Sequence, residues 1–159
     1  METIDVGIIG TGWCGGIRAE ACATNPLVEN LHIAEINTER LDEIALQTSA
    51  ATATTDYQEL LKINEIGAIF ISATPETTHF PMARDCLSAG KHVFMEKPLS
   101  LTLEEADELL ALAGKVSTDL SEIIRENPRE LAALLRTTKG MTSDDVARLA
   151  QEAEKSKNK

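Results

Sequence analysis

Residues 4–95 alternate two patterns of apolar and polar positions. Short runs of β-branched and apolar residues, Val6–Ile9, Leu31–Glu35, Ala51–Thr54, Ala68–Ser72 and His92–Met95, are separated by segments whose apolar residues recur every three to four positions. The alternation predicts five parallel strands, each buried on both faces, with helices packed above and below. The helices have recognisable ends. Thr55 and Gln58 have capping-box spacing ahead of Leu60 and Leu61, Leu41, Ile44 and Ala45 form an inward stripe, and Gly90 stands where a left-handed residue closes a helix. A further helix is expected from the Thr102/Glu105 capping box, facing inward with Ala106, Leu109, Leu110 and Ala113 and ending at Gly114.

The pattern then changes. Residues 116–159 hold no strand-like run, and read as helices only: one around Leu120, Ile123 and Ile124, one launched by Asn127-Pro128 with Leu131, Leu134 and Leu135, and one capped by Thr142 and Asp145 with Met141 and Val146 as a hydrophobic staple. The expected fold is α/β, a Rossmann-type doubly wound parallel sheet over residues 1–115 with a short all-helical C-terminal tail over 116–159.

Composition narrows the partners. A chain of 159 residues with 43% hydrophobic content has the size of one domain plus a small appendage. The formal net charge of −11 argues against nucleic acid and anionic membrane surfaces as partners. That charge lies wholly in residues 1–115, which carry 18 acids and 7 bases; residues 116–159 carry 8 of each. Cys14, Cys22 and Cys86 show no disulfide or zinc-ligand spacing, so no metal is expected and a reducing cytoplasm fits them. The first residues lack a signal-peptide pattern, and no apolar run could span a bilayer.

Candidate chemistry begins at Gly10-Thr11-Gly12-Trp13-Cys14-Gly15, a GxGxxG that follows a strand and opens a helix. Gly10 permits the tight turn, Gly12 lets a pyrophosphate approach the backbone, and Gly15 lets the helix pack close to the strand. Helix N–H groups then meet the phosphates. Cys14 serves there as a small filler or as a thiolate at a helix start, and Trp13 as a lid or a stacking platform. Glu35 follows Gly15 by 20 residues, where an acid accepts both hydroxyl hydrogens of an adenosine ribose and repels a 2′-phosphate. Ile36 and Asn37 come next in place of a phosphate-binding Arg, so NAD is favoured over NADP.

Ser72-Ala73-Thr74-Pro75 leaves the fourth strand where strand order reverses, and can line the crevice, start a helix with Thr74 as its N-cap, or do both. His79 is either a cofactor-side group or a satisfied surface histidine, and His32 a core-edge residue. Glu96-Lys97-Pro98 leaves the fifth strand at the ligand-binding edge. There the Lys97 ammonium can hold a substrate or ribose hydroxyl and stabilise charge developing on oxygen, although an ordinary Glu96–Lys97 surface ion pair is the plainer alternative.

Over residues 4–114 the chain resembles the nucleotide-binding half of the glucose–fructose oxidoreductase / inositol dehydrogenase / MocA family. The resemblance rests on the glycine loop, Glu35, Asp56-Tyr57, the run Ala73-Thr74-Pro75-Glu76-Thr77-Thr78-His79, and Ala89-Gly90-Lys91-His92-Val93 leading into Glu96-Lys97-Pro98. It implies NAD or NADP, oxidation of a sugar, inositol or related alcohol, and a place for Lys97 near nicotinamide and substrate. The family's large, mostly β substrate domain and its catalytic histidine have no counterpart in residues 115–159. Three functions follow: an oxidoreductase whose substrate part is replaced or supplied by another chain, a non-catalytic NAD-binding module with partner or self-association through 116–159, and a truncated product without activity.

Local geometry must overcome the acidic balance if such a chain is to hold an anionic dinucleotide. Backbone N–H groups and a helix dipole act at contact range, whereas scattered surface carboxylates are screened over about 8 Å at physiological salt.

Overall fold

A computed structural model describes residues 3–116. Its elements are β1 (Ile4–Ile9), α1 (Trp13–Ala23), β2 (Val28–Ala34), α2 (Thr38–Thr48), β3 (Thr52–Thr54), α3 (Tyr57–Leu61), β4 (Ile66–Ile71), α4 (His79–Ser88), β5 (His92–Met95) and α5 (Leu103–Val116), with a 3₁₀ turn at Glu76–Thr78. The sheet order is β3-β2-β1-β4-β5, with every pair parallel. This is the doubly wound Rossmann arrangement. Its strand order reverses between β1 and β4, which opens a crevice at the carboxyl ends of those two strands. The helices expected in the tail at Leu120–Ile124, Leu131–Leu135 and after Thr142 lie outside the described residues.

Alternation along the strands feeds two cores. Val6, Ile8, Leu31 and Ile33 pack with Ala19, Cys22, Leu41 and Ile44 of α1 and α2. Ile9, Ala34, Ile69 and Ile71 pack with Leu60, Ala83, Cys86, Leu87 and Leu109 of α3, α4 and α5. Ile8, Ile33 and Ile69 are wholly buried, as central parallel strands covered on both sides require. His32 is a satisfied core-edge residue, with Nδ1 3.0 Å from Thr52 Oγ1 and Nε2 3.2 Å from Asp5 Oδ2.

Several local expectations need correction. β3 and β5 are edge strands and are not buried on both faces; Phe94 stays 54% exposed, covered in part by the Arg18 guanidinium 5.3 Å above its ring. The start of α3 is capped by Asp56, whose carboxylate accepts from the Gln58 N–H at 2.9 Å; Thr55 plays no part. An aspartate one residue closer to the helix offers the acceptor at the preferred Ncap position. Thr74 is not an N-cap either, because the chain stays extended through Pro75 and α4 begins only at His79. At α5, Thr102 caps Glu105 as expected, but the Glu105 carboxylate reaches the Leu101 N–H. Leu110 points outward, Leu112 joins the core with Ala113, and the helix continues past Gly114 to Val116. Gly90 closes α4 with φ +75°, as its position predicts.

Candidate functional site

The β1–α1 turn is shaped by three glycines doing three different things. Gly10 adopts φ +82°, and a Cβ there would lie 2.6 Å from Ala73 Cα. At Gly15 a Cβ would overlap the Gly10 carbonyl oxygen. Both positions are therefore fixed by the fold itself. Gly12 differs: a Cβ there would meet nothing within 4 Å. It is the N-cap of α1, with no side chain capping the helix and no acid in its first turn, so the first-turn N–H groups remain available to an anion.

Glu35 stands immediately after β2. Its Oε2 accepts from the Thr11 N–H at 2.7 Å and the Thr11 hydroxyl at 3.1 Å, and its Oε1 accepts from the Asn37 N–H at 3.0 Å. A carboxylate has about four acceptor sites, and three are taken. The carboxylate expected to meet the ribose is thus already held by three donors of the chain itself.

Ser72-Ala73-Thr74-Pro75 lines the same cavity directly beside the glycine turn, with the Ala73 backbone packed against Gly10. His79 is 2% exposed, so it is not a surface histidine. Its Nδ1 lies 2.8 Å from the Pro98 carbonyl oxygen and its Nε2 2.9 Å from that of Ala73. The ring lies between the loop after β4 and the loop after β5, with one nitrogen against a carbonyl of each, and whichever nitrogen carries the hydrogen donates to the carbonyl it faces. Glu96, at the end of β5, is ion-paired with Arg18 of α1, whose other nitrogen donates to Ser72 Oγ at 3.0 Å. The hydrogen bond from Arg18 holds the Glu96 carboxyl below the usual carboxylate range. The plain Glu96–Lys97 ion pair is therefore not what forms. Lys97 is exposed, and among the described residues its ammonium has no hydrogen-bond or ion-pair partner.

These parts enclose one cavity of about 880 Å³. Gly10, Gly12, Trp13 and Cys14 line it from the first turn, Glu35 from the second, and Ala73, Thr74, Pro75 and His79 with Glu96 and Lys97 from the other side. Thr11 and Gly15 do not. Thr11 is completely buried, and Gly15 serves the packing of α1.

The family model described as "Oxidoreductase family, NAD-binding Rossmann fold" (Gfo/Idh/MocA) matches residues 4–124. The chain belongs to this oxidoreductase family. Among curated relatives, the uncharacterized oxidoreductase YrbE of Bacillus subtilis is 35% identical over 114 residues, covering 72% of this chain and 33% of that protein. Among solved structures, GenD2 from gentamicin A biosynthesis, in complex with NAD, superposes with a TM-score of 0.68 at 30% identity, covering 74% of this chain and 33% of that one. Levoglucosan dehydrogenase, in complex with NADH and L-sorbose, gives 0.63 at 32% identity, with 70% and 32% covered. The chain thus spans about a third of the length of the relatives it matches.

The cofactor of this Gfo/Idh/MocA domain is NAD, and its residues fit that group. Gly12 leaves a cradle that a Cβ would enter, uncapped N–H groups of α1 supply phosphate donors, and Glu35 keeps one acceptor site at the expected place for a ribose. Three residues of the Gfo/Idh/MocA site escaped sequence reasoning. Arg40 of α2 enters the wall beside Glu35, its Nε donating to the Thr11 carbonyl at 2.9 Å. Arg18 reaches Ser72 and Glu96, and Tyr57 lines the cavity while donating to Asp85 at 2.8 Å. For the two arginines nothing in the chain marked them out, since a charged residue on an amphipathic helix normally faces water.

Proposed function

We propose that this chain is the cofactor-holding part of an NAD-dependent oxidoreductase that acts on a sugar or polyol alcohol. The observation carrying the proposal is Lys97. Its exposed ammonium, without a partner among the described residues, lies on the rim of the same cavity as the glycine turn, at the carboxyl end of the sheet where ligands of open α/β folds bind. NAD, when bound, accepts a hydride from an alcohol carbon. Lys97 would hold the alcohol oxygen by a charge-assisted hydrogen bond and stabilise negative charge as it develops there. Support for a sugar or polyol comes from the neighbours, one of which was solved with L-sorbose bound.

A specific feature favours binding without rapid turnover by residues 1–116 alone. A general base must reach the proton it removes. Both nitrogens of His79 face carbonyl oxygens, those of His32 are held by Thr52 and Asp5, and His92 on edge strand β5 does not line the cavity, so none of the three histidines of the described residues offers one there. A histidine completing the reaction would then come from outside the described residues. A reducing, cytoplasmic setting is part of the same proposal, supported by the buried free thiols of Cys22 and Cys86. No described helix is long and apolar enough to cross a membrane.

The test starts with NADH titration followed by Trp13 fluorescence, since this Trp is 82% exposed and lines the cavity. NADH production over a panel of sugars and polyols, with wild type and Lys97→Ala compared, then addresses chemistry. Saturable binding with little turnover is expected. Brisk turnover unaffected by Lys97→Ala would remove Lys97 from the mechanism, and no saturable binding would remove the site.

A further inference from the structure

Between the first two glycines of the turn stands a residue that a GxGxxG pattern leaves unspecified. Thr11 is completely buried and does not line the cavity, so it cannot touch a bound dinucleotide. Yet it makes three hydrogen bonds, all to the groups that flank the expected ribose position. Its N–H and its hydroxyl both donate to Glu35 Oε2, and its carbonyl accepts from Arg40 Nε. Arg40 is held at its other end by Glu43 at 2.6 Å.

We infer that Thr11 is a positioning residue that sets the choice between NAD and NADP by fixing the Glu35 carboxylate. The inference rests on reading Glu35 as the ribose acceptor. Two donors from one rigid turn anchor Oε2, and the Asn37 N–H holds Oε1, so the carboxylate cannot rotate away. Its one remaining acceptor site is then fixed on Oε1. A fixed carboxylate accepts a hydroxyl hydrogen well and excludes a phosphate strongly, because neither response can be relieved by a turn toward water. Without the Thr11 hydroxyl, Oε2 keeps only the backbone donor, and the side chain regains rotamer freedom. The hydroxyl's effect belongs to discrimination, since backbone N–H groups and the phosphate cradle at Gly12 are untouched by its removal. The anchoring of Arg40 should also survive, because it uses the Thr11 carbonyl.

The experiment compares Thr11→Val, which keeps the shape and removes the hydroxyl, with Thr11→Ser, which keeps the hydroxyl. NADH and NADPH are titrated separately by calorimetry against the full chain, with Glu35→Ala and the Thr11→Val/Glu35→Ala double variant alongside. A lost hydrogen bond to a charged group predicts NADH binding weakened about tenfold in Thr11→Val, NADPH unchanged or strengthened, and Thr11→Ser within about twofold of wild type. In the Glu35→Ala background, Thr11→Val should move the NADH/NADPH ratio no further. If Thr11→Val does not fold, as judged by thermal melting, Thr11→Ala gives the same readout. An unchanged ratio in the hydroxyl-free variant, with a contracted ratio in Glu35→Ala, overturns the role of Thr11 and leaves that of Glu35 standing. An unchanged ratio in Glu35→Ala overturns both.

Discussion

Arg18 of α1 and Glu96 at the end of β5 are joined by an ion pair between residues 78 positions apart in the chain. Arg18 also donates to Ser72 after β4, so one guanidinium fixes the ends of two strands relative to the helix that receives the phosphates. Lys97 follows Glu96 directly, and its backbone inherits that placement.

Because Arg18 lowers the Glu96 carboxyl, protonating this group is harder in the folded chain than in the unfolded one. The contribution of the pair is therefore fully present above the unfolded carboxyl's pKa of about 4.3, and is lost as pH falls through the lower folded value. Replacing Arg18 by Met should raise the Glu96 titration toward the ordinary range in a carboxyl-detected NMR experiment. It should also flatten that part of the acid unfolding curve; a Glu96 titration indifferent to the substitution would dissolve the pair.

The glycine turn predicts a separation between fold and binding. Gly12→Ala should leave the melting temperature close to wild type and weaken NADH by at least about tenfold, since its Cβ enters open cavity space. Gly15→Ala should instead lower the melting temperature sharply, because its Cβ meets the Gly10 carbonyl and backbone has nowhere to move. Equal effects of the two on stability would contradict this division.

Two lysines six positions apart should behave oppositely. Lys91 is 6% exposed, and its Nζ donates to the carbonyls of Ile63 at 2.7 Å and Asn64 at 3.3 Å, tying down the turn before β4. Lys91→Met is expected to cost about 1–3 kcal/mol of stability, the penalty for leaving such acceptors unsatisfied, while NADH affinity holds. Lys97→Ala should spare stability and abolish whatever turnover the wild type shows. Urea unfolding, NADH titration and NADH production on both variants check the contrast.

Thiol chemistry offers a further check on the site. Cys86 is completely buried, and burial raises its pKa to about 12, so it carries almost no thiolate at neutral pH. Burial raises the Cys22 thiol as well. Cys14, partly exposed on the cavity wall, should react first with a disulfide reagent, and NADH should protect it. Mass mapping of the first labelled cysteine, with and without NADH, reads this directly; first labelling at Cys86 would contradict the packing.

Much of this arrangement was legible in the chain because its causes are local. Val6–Ile9 and Ala68–Ser72 announce buried parallel strands by composition, and Gly10 and Gly90 announce positive φ where they have it. Leu110 was misplaced because a helical stripe defines a face only to within one position. Edge burial at Phe94 was missed because pattern does not say which strand ends the sheet.

The sequence by itself determined the strand–helix alternation, the glycine turn and the acid that follows β2, since each depends on backbone geometry and short spacing. Only tertiary structure decided that Thr11 hydrogen-bonds to Glu35, that His79 sits between two loops, and that Arg18 and Arg40 reach residues of the cavity. Those contacts join residues 6 to 78 positions apart, most of them on different strands and helices. Which side chains meet across a crevice is set by the strand order and by where each helix lies on the sheet, and no periodicity along the chain encodes that.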